Sequence, residues 1–222
     1  MIRPYMASRI FSFLLSFLLV CLALPPQSRP KTDLMDQYLS LSGAFSFVRR
    51  APEGTVSKKI VLTVFEDFLC SHCYDVFSNL IPALKQKYPN QLDIHFRAVP
   101  LVHASSQIPA RAYAISHELG LSEEMQRALF QARFEEDIDT GSRDGIALVA
   151  HRIGLDPALL LSQLDADGGK AELEATVALG NSYHIESVPT LIIDGWIRVQ
   201  DLSPQNIETI IDELLERKQG DQ

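Results

Sequence analysis

The chain has 222 residues, 46% of them hydrophobic and 22% charged, with a formal net charge of −8. That balance excludes a disordered or fibrous class and fits one globular domain, with room for a sizeable insertion. Its acidity argues against nucleic acid or anionic lipid as a partner.

At the N-terminus, Arg3 and Arg9 precede an apolar run from Ile10 to Leu24 broken by Ser12 and Ser16. Residues 1–24 read as a secretory signal. The run falls short of the roughly 20 apolar residues of a comfortable membrane span, and an uncleaved anchor is the alternative reading. Cleavage after Ala23 lacks the usual small residue at the position of Cys21, and the bulk of Val20 speaks against lipid attachment to Cys21. Without residues 1–24 two positive charges are lost, which takes −8 to −10, and Cys21 is lost with them. Cys70 and Cys73 then remain alone. A structural disulfide framework would use more cysteines, spaced to close longer loops.

Residues 25–54 mix Pro, Ser, Lys and Asp around a short apolar patch from Tyr38 to Val48 and read as a tether and lead-in. A short helix over Leu34–Leu41 and a disordered linker are both open. Lys59–Phe65 is a continuous β-branched and apolar run, as expected of a strand buried on both faces. Glu66-Asp67-Phe68-Leu69 follows, then Cys70, then Tyr74, Phe77, Leu80, Ile81, Leu84 and Tyr88 at helical spacing. Leu92–Val99 alternates and predicts a second strand, parallel to the first through a right-handed crossover.

From residue 105 to 180 the pattern is helical. It predicts helices over Pro109–Leu119, Ser122–Phe134 with Ser122 as N-cap, Ser142–Ile153, Pro157–Leu164 behind an Asp156 cap, and Lys170–Gly180. Ser187–Val199 then predicts strand, Asp194-Gly195 turn and strand. A last helix opens with Ser203 and Pro204 and runs through Ile207, Ile210, Ile211, Leu214 and Leu215 to Lys218.

Cys70 and Cys73 thus stand on the first turn of a helix that follows a central strand. Unpaired amides and the helix dipole favour a thiolate there. Cys73, three positions on and on the same helical face, can attack a mixed disulfide formed at Cys70. Cys70 is the expected nucleophile and Cys73 the expected resolver. His72 can donate to the Cys70 thiolate, or pair with it as imidazolium, which stabilises the reduced pair and makes its disulfide more oxidising. The bland alternatives are an exposed helix-start histidine, an inert small-loop disulfide and half of a zinc site. His95, His103, His117, His151 and His184 supply no second ligand cluster for that zinc.

Phe65-Glu66-Asp67-Phe68-Leu69-Cys70-Ser71-His72-Cys73, the helical insertion, and Val188-Pro189 followed by a hairpin strand together resemble the periplasmic disulfide-oxidase (DsbA) family of thioredoxin-fold proteins. The resemblance covers residues 55–218. It implies an α/β thioredoxin-like fold whose β-α-β and β-β-α halves, residues 55–104 and 181–218, flank a helical insertion at 105–180. It further implies that Cys70 is the exposed attacking sulfur and Cys73 the buried one. Val188-Pro189 is then a cis peptide bond facing Cys70, with Val188 backbone groups free for an extended substrate. Without the resemblance, Pro189 is a trans proline at a strand start.

The implied activity is thiol:disulfide oxidation of reduced or unfolded exported proteins in the periplasm. A DsbB-type membrane partner would reoxidise the pair, and the dithiol needs no separate cofactor. A reductase or isomerase kept reduced by a membrane donor, and a non-catalytic thioredoxin-fold binding module, are the rival readings. Two departures from the family stand out. Ser71 replaces the usual proline, and Val64 occupies the place of a buried acid six residues before the first cysteine. Proton transfer to Cys73 is then left to Glu66, Asp67, water or nothing, and the expectation for each acid is an exposed loop or N-cap carboxylate. His103 is expected as a hydrogen-bonded framework histidine, with a place lining the groove near Cys70 as the alternative, and Trp196 as a half-buried strand aromatic with substrate contact as the alternative.

Overall fold

The computed structural model describes residues 38–50 and 57–220. The signal region, and residues 34–37 of the helix expected over Leu34–Leu41, lie outside them.

The sheet is built from β1 (Phe45–Phe47), β2 (Ile60–Glu66), β3 (Leu92–Ala98), β4 (Thr190–Ile193) and β5 (Ile197–Val199), in the order β1-β5-β4-β2-β3. Only β2 and β3 run parallel, with Val64 opposite Phe96. On its other side β2 pairs antiparallel with β4, placing Val64 opposite Leu191. The apolar run of β2 therefore sits between two neighbours, with Ile60, Leu62, Val64 and Phe65 fully buried. Val61 and Thr63 on the opposite face are half-buried, so β2 is a central strand with one face fully buried and the other only partly covered. The β4–β5 hairpin turns at Asp194 and Gly195, with φ of 49° and 77°. Positive φ at both central residues matches the right-handed strand twist, and Asp-Gly accommodates it with little strain.

Phe45–Phe47, within the stretch expected as tether, is an edge strand paired with β5. Trp196 explains why the lead-in is held. It is 2% exposed, edge-on to Tyr38 at 4.5 Å and stacked on Phe47 at 5.4 Å. Its indole is core, and it leaves no face for a substrate.

The helix after Cys70 divides into α1 (Ser71–Asp75), a π-helical turn (Val76–Leu80) and α2 (Ile81–Lys87). Pro82 is the physical reason: it has no amide to give the preceding turn and its ring crowds that turn's carbonyl, so the backbone widens just before it. Beyond a short turn at Ala104–Ser106, the insertion consists of α3 (Gln107–Glu118), α4 (Ser122–Phe134), α5 (Arg143–Arg152), α6 (Pro157–Asp165) and α7 (Lys170–Ser182). Ser142 and Asp156 cap α5 and α6 by accepting from the amides of Gly145 and Ala158. Ser122 is not the cap of α4. Gly120 at φ 72° turns the chain so that Leu121 takes the cap position, with no side-chain bond. The final helix, α8 (Pro204–Gly220), covers the sheet through Ile207, Ile210, Ile211 and Leu214, all fully buried.

Two large cores result. One lies between sheet, α2 and α8, and the other joins the insertion to the Cys70–Cys73 helix start. Within the second, a Cβ on Gly145 would stand 2.0 Å from the Asp139 carbonyl oxygen, a backbone atom that cannot swing aside. Gly145→Ala is expected to destabilise the protein by roughly 2–3 kcal/mol, read as a lower urea midpoint. An unchanged midpoint would mean that the 139–145 loop relaxes freely.

Candidate active site

The thioredoxin-like frame brings the end of β2, the start of α1 and the loop before β4 to one place. Cys70 is the N-cap of α1, with φ −98° and ψ 115°, and its sulfur accepts the Cys73 amide at 3.3 Å. A cap sulfur in this position satisfies a helix-start amide that has no partner within the helix. The structure holds both cysteines as thiols. Cys73 is fully buried. Cys70 is 7% exposed, much less than the open sulfur implied by the family pattern, because the Val188-Pro189 segment closes over it. The Val188 carbonyl oxygen lies 3.7 Å from Cys70 Sγ, and the Val188–Pro189 peptide is cis.

The two thiols differ in acidity by environment. Cys70 is lowered to about 6, first by the hydrogen bond from the Cys73 thiol and further by the amides of Cys73 and His72, against the opposing effect of burial. Cys73 is pushed far up, because its proton is held by Cys70 and its sulfur is desolvated. The pair therefore has one thiol that ionises readily and one that keeps its proton. His72 contributes its main-chain amide to the Cys70 sulfur, while its imidazole is exposed.

Glu66 and Asp67 are both buried, at 1% and 2% exposure, which overturns the expectation of exposed carboxylates. The reason is a set of distant partners. Gln126 of α4 donates to Glu66 Oε1 at 2.7 Å. Asp67 Oδ1 accepts the Leu69 amide at 2.8 Å, and Oδ2 accepts those of Leu101 and Val102, each at 2.9 Å. Asp67 thus fastens the loop after β3 to the cysteine loop, and its own amide donates to Cys73 Sγ at 3.5 Å. Burial pushes the Glu66 carboxyl up to about 8, with the nearby Asp67 charge adding to the rise and the Gln126 bond opposing it. The strand pattern did carry a signal for Glu66: it falls on the same alternating face as Leu62 and Val64.

Asp67→Ala would leave three amides without their acceptor. The expected loss is roughly 2–4 kcal/mol, with faster hydrogen exchange at the Leu101 and Val102 amides. Unchanged exchange there would show that the carboxylate does not hold the loop.

Other sequence candidates have structural places. His103 caps the Ala104–Ser106 turn in a reciprocal arrangement with Ser106. Among the described residues no group of three or more His, Cys, Asp or Glu side chains could hold a metal ion.

Aromatic packing fixes the site onto the insertion. Phe68 lies 5.1 Å from Phe130, Phe77 5.0 Å from Phe130, and Tyr74 stacks on Phe134 at 5.2 Å. Such pairs contribute about 0.5–1.5 kcal/mol each beyond the area they bury. The redox helix and the insertion consequently form one packed unit.

A sheet of this order with a Cys-Ser-His-Cys helix start, one acidic and one buried thiol, and an X-Pro loop against the first sulfur defines a thioredoxin-fold dithiol protein. Comparison with known proteins agrees. The model of the DSBA-like thioredoxin domain matches residues 61–212. The thiol:disulfide interchange protein DsbA of Pseudomonas aeruginosa is 22% identical over 206 residues, covering 84% of this chain and 96% of that protein. The Azotobacter vinelandii protein of the same name is 25% identical over 158 residues, covering 69% and 72%. Among solved structures, the oxidoreductase DsbA from Xylella fastidiosa superposes with a TM-score of 0.66 at 18% identity, over 80% of this chain and 96% of that one. This chain belongs to the DSBA-like thioredoxin domain family, and it is a thiol:disulfide oxidoreductase.

Proposed function

We propose that the chain acts as an exported oxidase, donating the Cys70–Cys73 disulfide to reduced secreted or envelope proteins. A substrate thiolate attacks Cys70 Sγ, the Cys70–Cys73 bond breaks, and the electron pair goes to Cys73. A second substrate thiolate then attacks the substrate sulfur of the mixed disulfide and expels the Cys70 thiolate. The substrate leaves oxidised and the pair is left reduced. In this direction Cys70 is the sulfur attacked and Cys73 the leaving thiolate; when the reduced pair reacts in reverse, Cys70 is the nucleophile and Cys73 the resolver. Val188 and Pro189 hold an extended substrate segment beside Cys70. The imidazole of His72 favours the thiolate electrostatically from the exposed side. The dithiol is itself the redox group, and no further cofactor enters.

What supports the direction is the position of Cys70 as helix cap, where the Cys73 thiol and the helix-start amides lower its thiol to about 6. A stabilised Cys70 thiolate favours the reduced pair and so makes the disulfide a stronger donor. Export rests on the charged and apolar pattern of residues 1–24. Reoxidation by a DsbB-type membrane protein is the family's route carried over. No helix among the described residues is long and apolar enough to cross a membrane.

The test is the reduction potential of the pair against glutathione. A value near DsbA's, about −120 mV, supports the oxidase; one near thioredoxin's, about −270 mV, would favour a reductase.

A further inference from the structure

β3 is an outer strand of the sheet, with β2 on one side and no strand of the described residues on the other. In the parallel β2–β3 ladder the Ile60 amide donates to the Gln91 carbonyl and the Val99 amide to the Glu66 carbonyl, each at 2.8 Å. The register between these two bonds is unbroken. Successive residues of a strand turn their main-chain groups to opposite sides. The odd-numbered residues of β3 therefore bond to β2, and the N–H and C=O groups of Ile94 and Phe96 point outward, where no described residue pairs with them.

This open edge lies in a groove of about 630 Å³. Ile94 and Phe96 line it together with Phe77, Ile81 and Pro82 from the helix that follows Cys70, while Arg97, on the opposite strand face, lines it with Tyr113 of α3. A charge on an edge strand commonly serves to keep other strands away, and then it is solvated. Arg97 is different. Its side chain is half-buried, its Nε is buried without an acceptor, and it makes no hydrogen bond or ion pair with any described residue. Lys85 and Arg127 also line the groove, and neither has a hydrogen bond or ion pair with a described residue. With histidines neutral, these three cations face three lining acids, so the groove is formally neutral on a protein of charge −8. The acids are largely engaged: Glu172 lies 2.9 Å from His117 and Glu135 accepts from Tyr74 at 2.8 Å, which leaves Glu123.

We propose that the groove at the open edge of β3 binds an extended segment of a partner protein in which apolar and acidic residues alternate. The segment adds a sixth strand to the sheet through the main-chain groups of Ile94 and Phe96 and sets a carboxylate on Arg97. Main-chain pairing supplies affinity in such an addition, and the alternating side chains supply selectivity. Apolar side chains of the segment meet Phe77, Ile81 and Pro82. On its other face a carboxylate accepts from Arg97 Nε and one terminal nitrogen in a fork, which satisfies the orphaned donor. The volume falls within the range of about 300–1,000 Å³ usual for binding clefts. Helices line the groove on both faces of the strand, so a second copy of this chain, whose own β3 is recessed in the same way, cannot bring its edge against this one. A single extended segment can. Neither Cys70 nor Val188 lines the groove. The site therefore captures a partner without entering the exchange step, and it goes beyond the function proposed above.

The probe is a capped peptide without cysteine, Val-Glu-Val-Glu-Val-Glu-Val, titrated into the isotopically labelled full chain and followed by amide shifts and hydrogen exchange. Binding should slow exchange at the Ile94 and Phe96 amides. Methylating the peptide nitrogens of the valines or of the glutamates blocks one edge of the strand or the other, so one methylated form should lose binding and the other keep it. Arg97→Met should weaken the peptide by about tenfold or more and remove most of the salt dependence, with the reduction potential of the cysteine pair unchanged. A peptide with glutamine in place of glutamate should bind wild type as weakly; this arm decides the matter if Arg97→Met does not fold. Absence of binding, equal binding of the two methylated forms, or equal affinity of the glutamate and glutamine peptides would overturn the proposal. So would a dimer in sedimentation whose Ile94 and Phe96 amides are already protected, since the edge would then belong to a second copy. A potential that sinks the oxidase reading leaves this outcome untouched, because the probe carries no thiol.

Discussion

In Cys73→Ala, Cys70 should lose most of its acidity, and mixed disulfides with substrate proteins should accumulate. The largest single influence that lowers Cys70 to about 6 is the hydrogen bond from the Cys73 thiol. Alanine removes that donor but keeps the amides of residues 72 and 73, so the midpoint of Cys70 alkylation should climb part of the way to the ordinary thiol value of about 8.5. At pH 6 the thiolate fraction, and with it the iodoacetamide rate, should fall on the order of 10- to 100-fold. Resolution within the pair also stops, which leaves substrates attached to Cys70 on non-reducing gels. Cys70→Ser should form no such adducts and turn over no substrate. An alkylation midpoint that stays near 6 in Cys73→Ala would assign the acidity to the helix-start amides instead.

The same environment links stability of the reduced protein to pH. Cys70 has a folded value below its unfolded one. Its contribution is therefore fully present above about pH 8.5 and is lost as pH falls through about 6.

The parts of the site written in adjacent residues were legible in the sequence. A buried strand run, cysteines at its exit, a Val-Pro before a strand and an Asp-Gly turn each act through local chemistry, and the fold places them as that chemistry requires. What could not be read depends on partners distant in the chain. Phe45-Ser46-Phe47 is too short to declare itself a strand, and becomes one only because β5 and Trp196 stand opposite. Asp67 is an ordinary loop acid until the amides of Leu101 and Val102, more than thirty positions away, converge on it. Glu66 looked exposed because a carboxylate at a strand exit normally is, and only Gln126 of the insertion makes its burial tolerable. The helix interruption at Val76–Leu80 is different, since Pro82 was present to signal it.

Glu66→Gln is expected to stabilise the protein, and by an amount that grows with pH. The carboxyl is raised from an ordinary 4.5 to about 8 by burial. For an acid raised on folding, both states are protonated below 4.5 and the group imposes no penalty. Between 4.5 and 8 the unfolded chain ionises while the folded one stays protonated, so wild-type stability falls steadily as pH rises. Above 8 the loss levels off at an order of magnitude of 4–5 kcal/mol. Glutamine has nearly the same shape, can keep a hydrogen bond with Gln126 and never ionises. Urea unfolding should therefore show similar midpoints for variant and wild type at pH 4, with the variant higher by several kcal/mol at pH 8. Equal midpoints at both pH values would mean that Glu66 is solvated in the folded state. A protein that retains so unfavourable an acid, when an isosteric amide would fit, is accepting a stability loss.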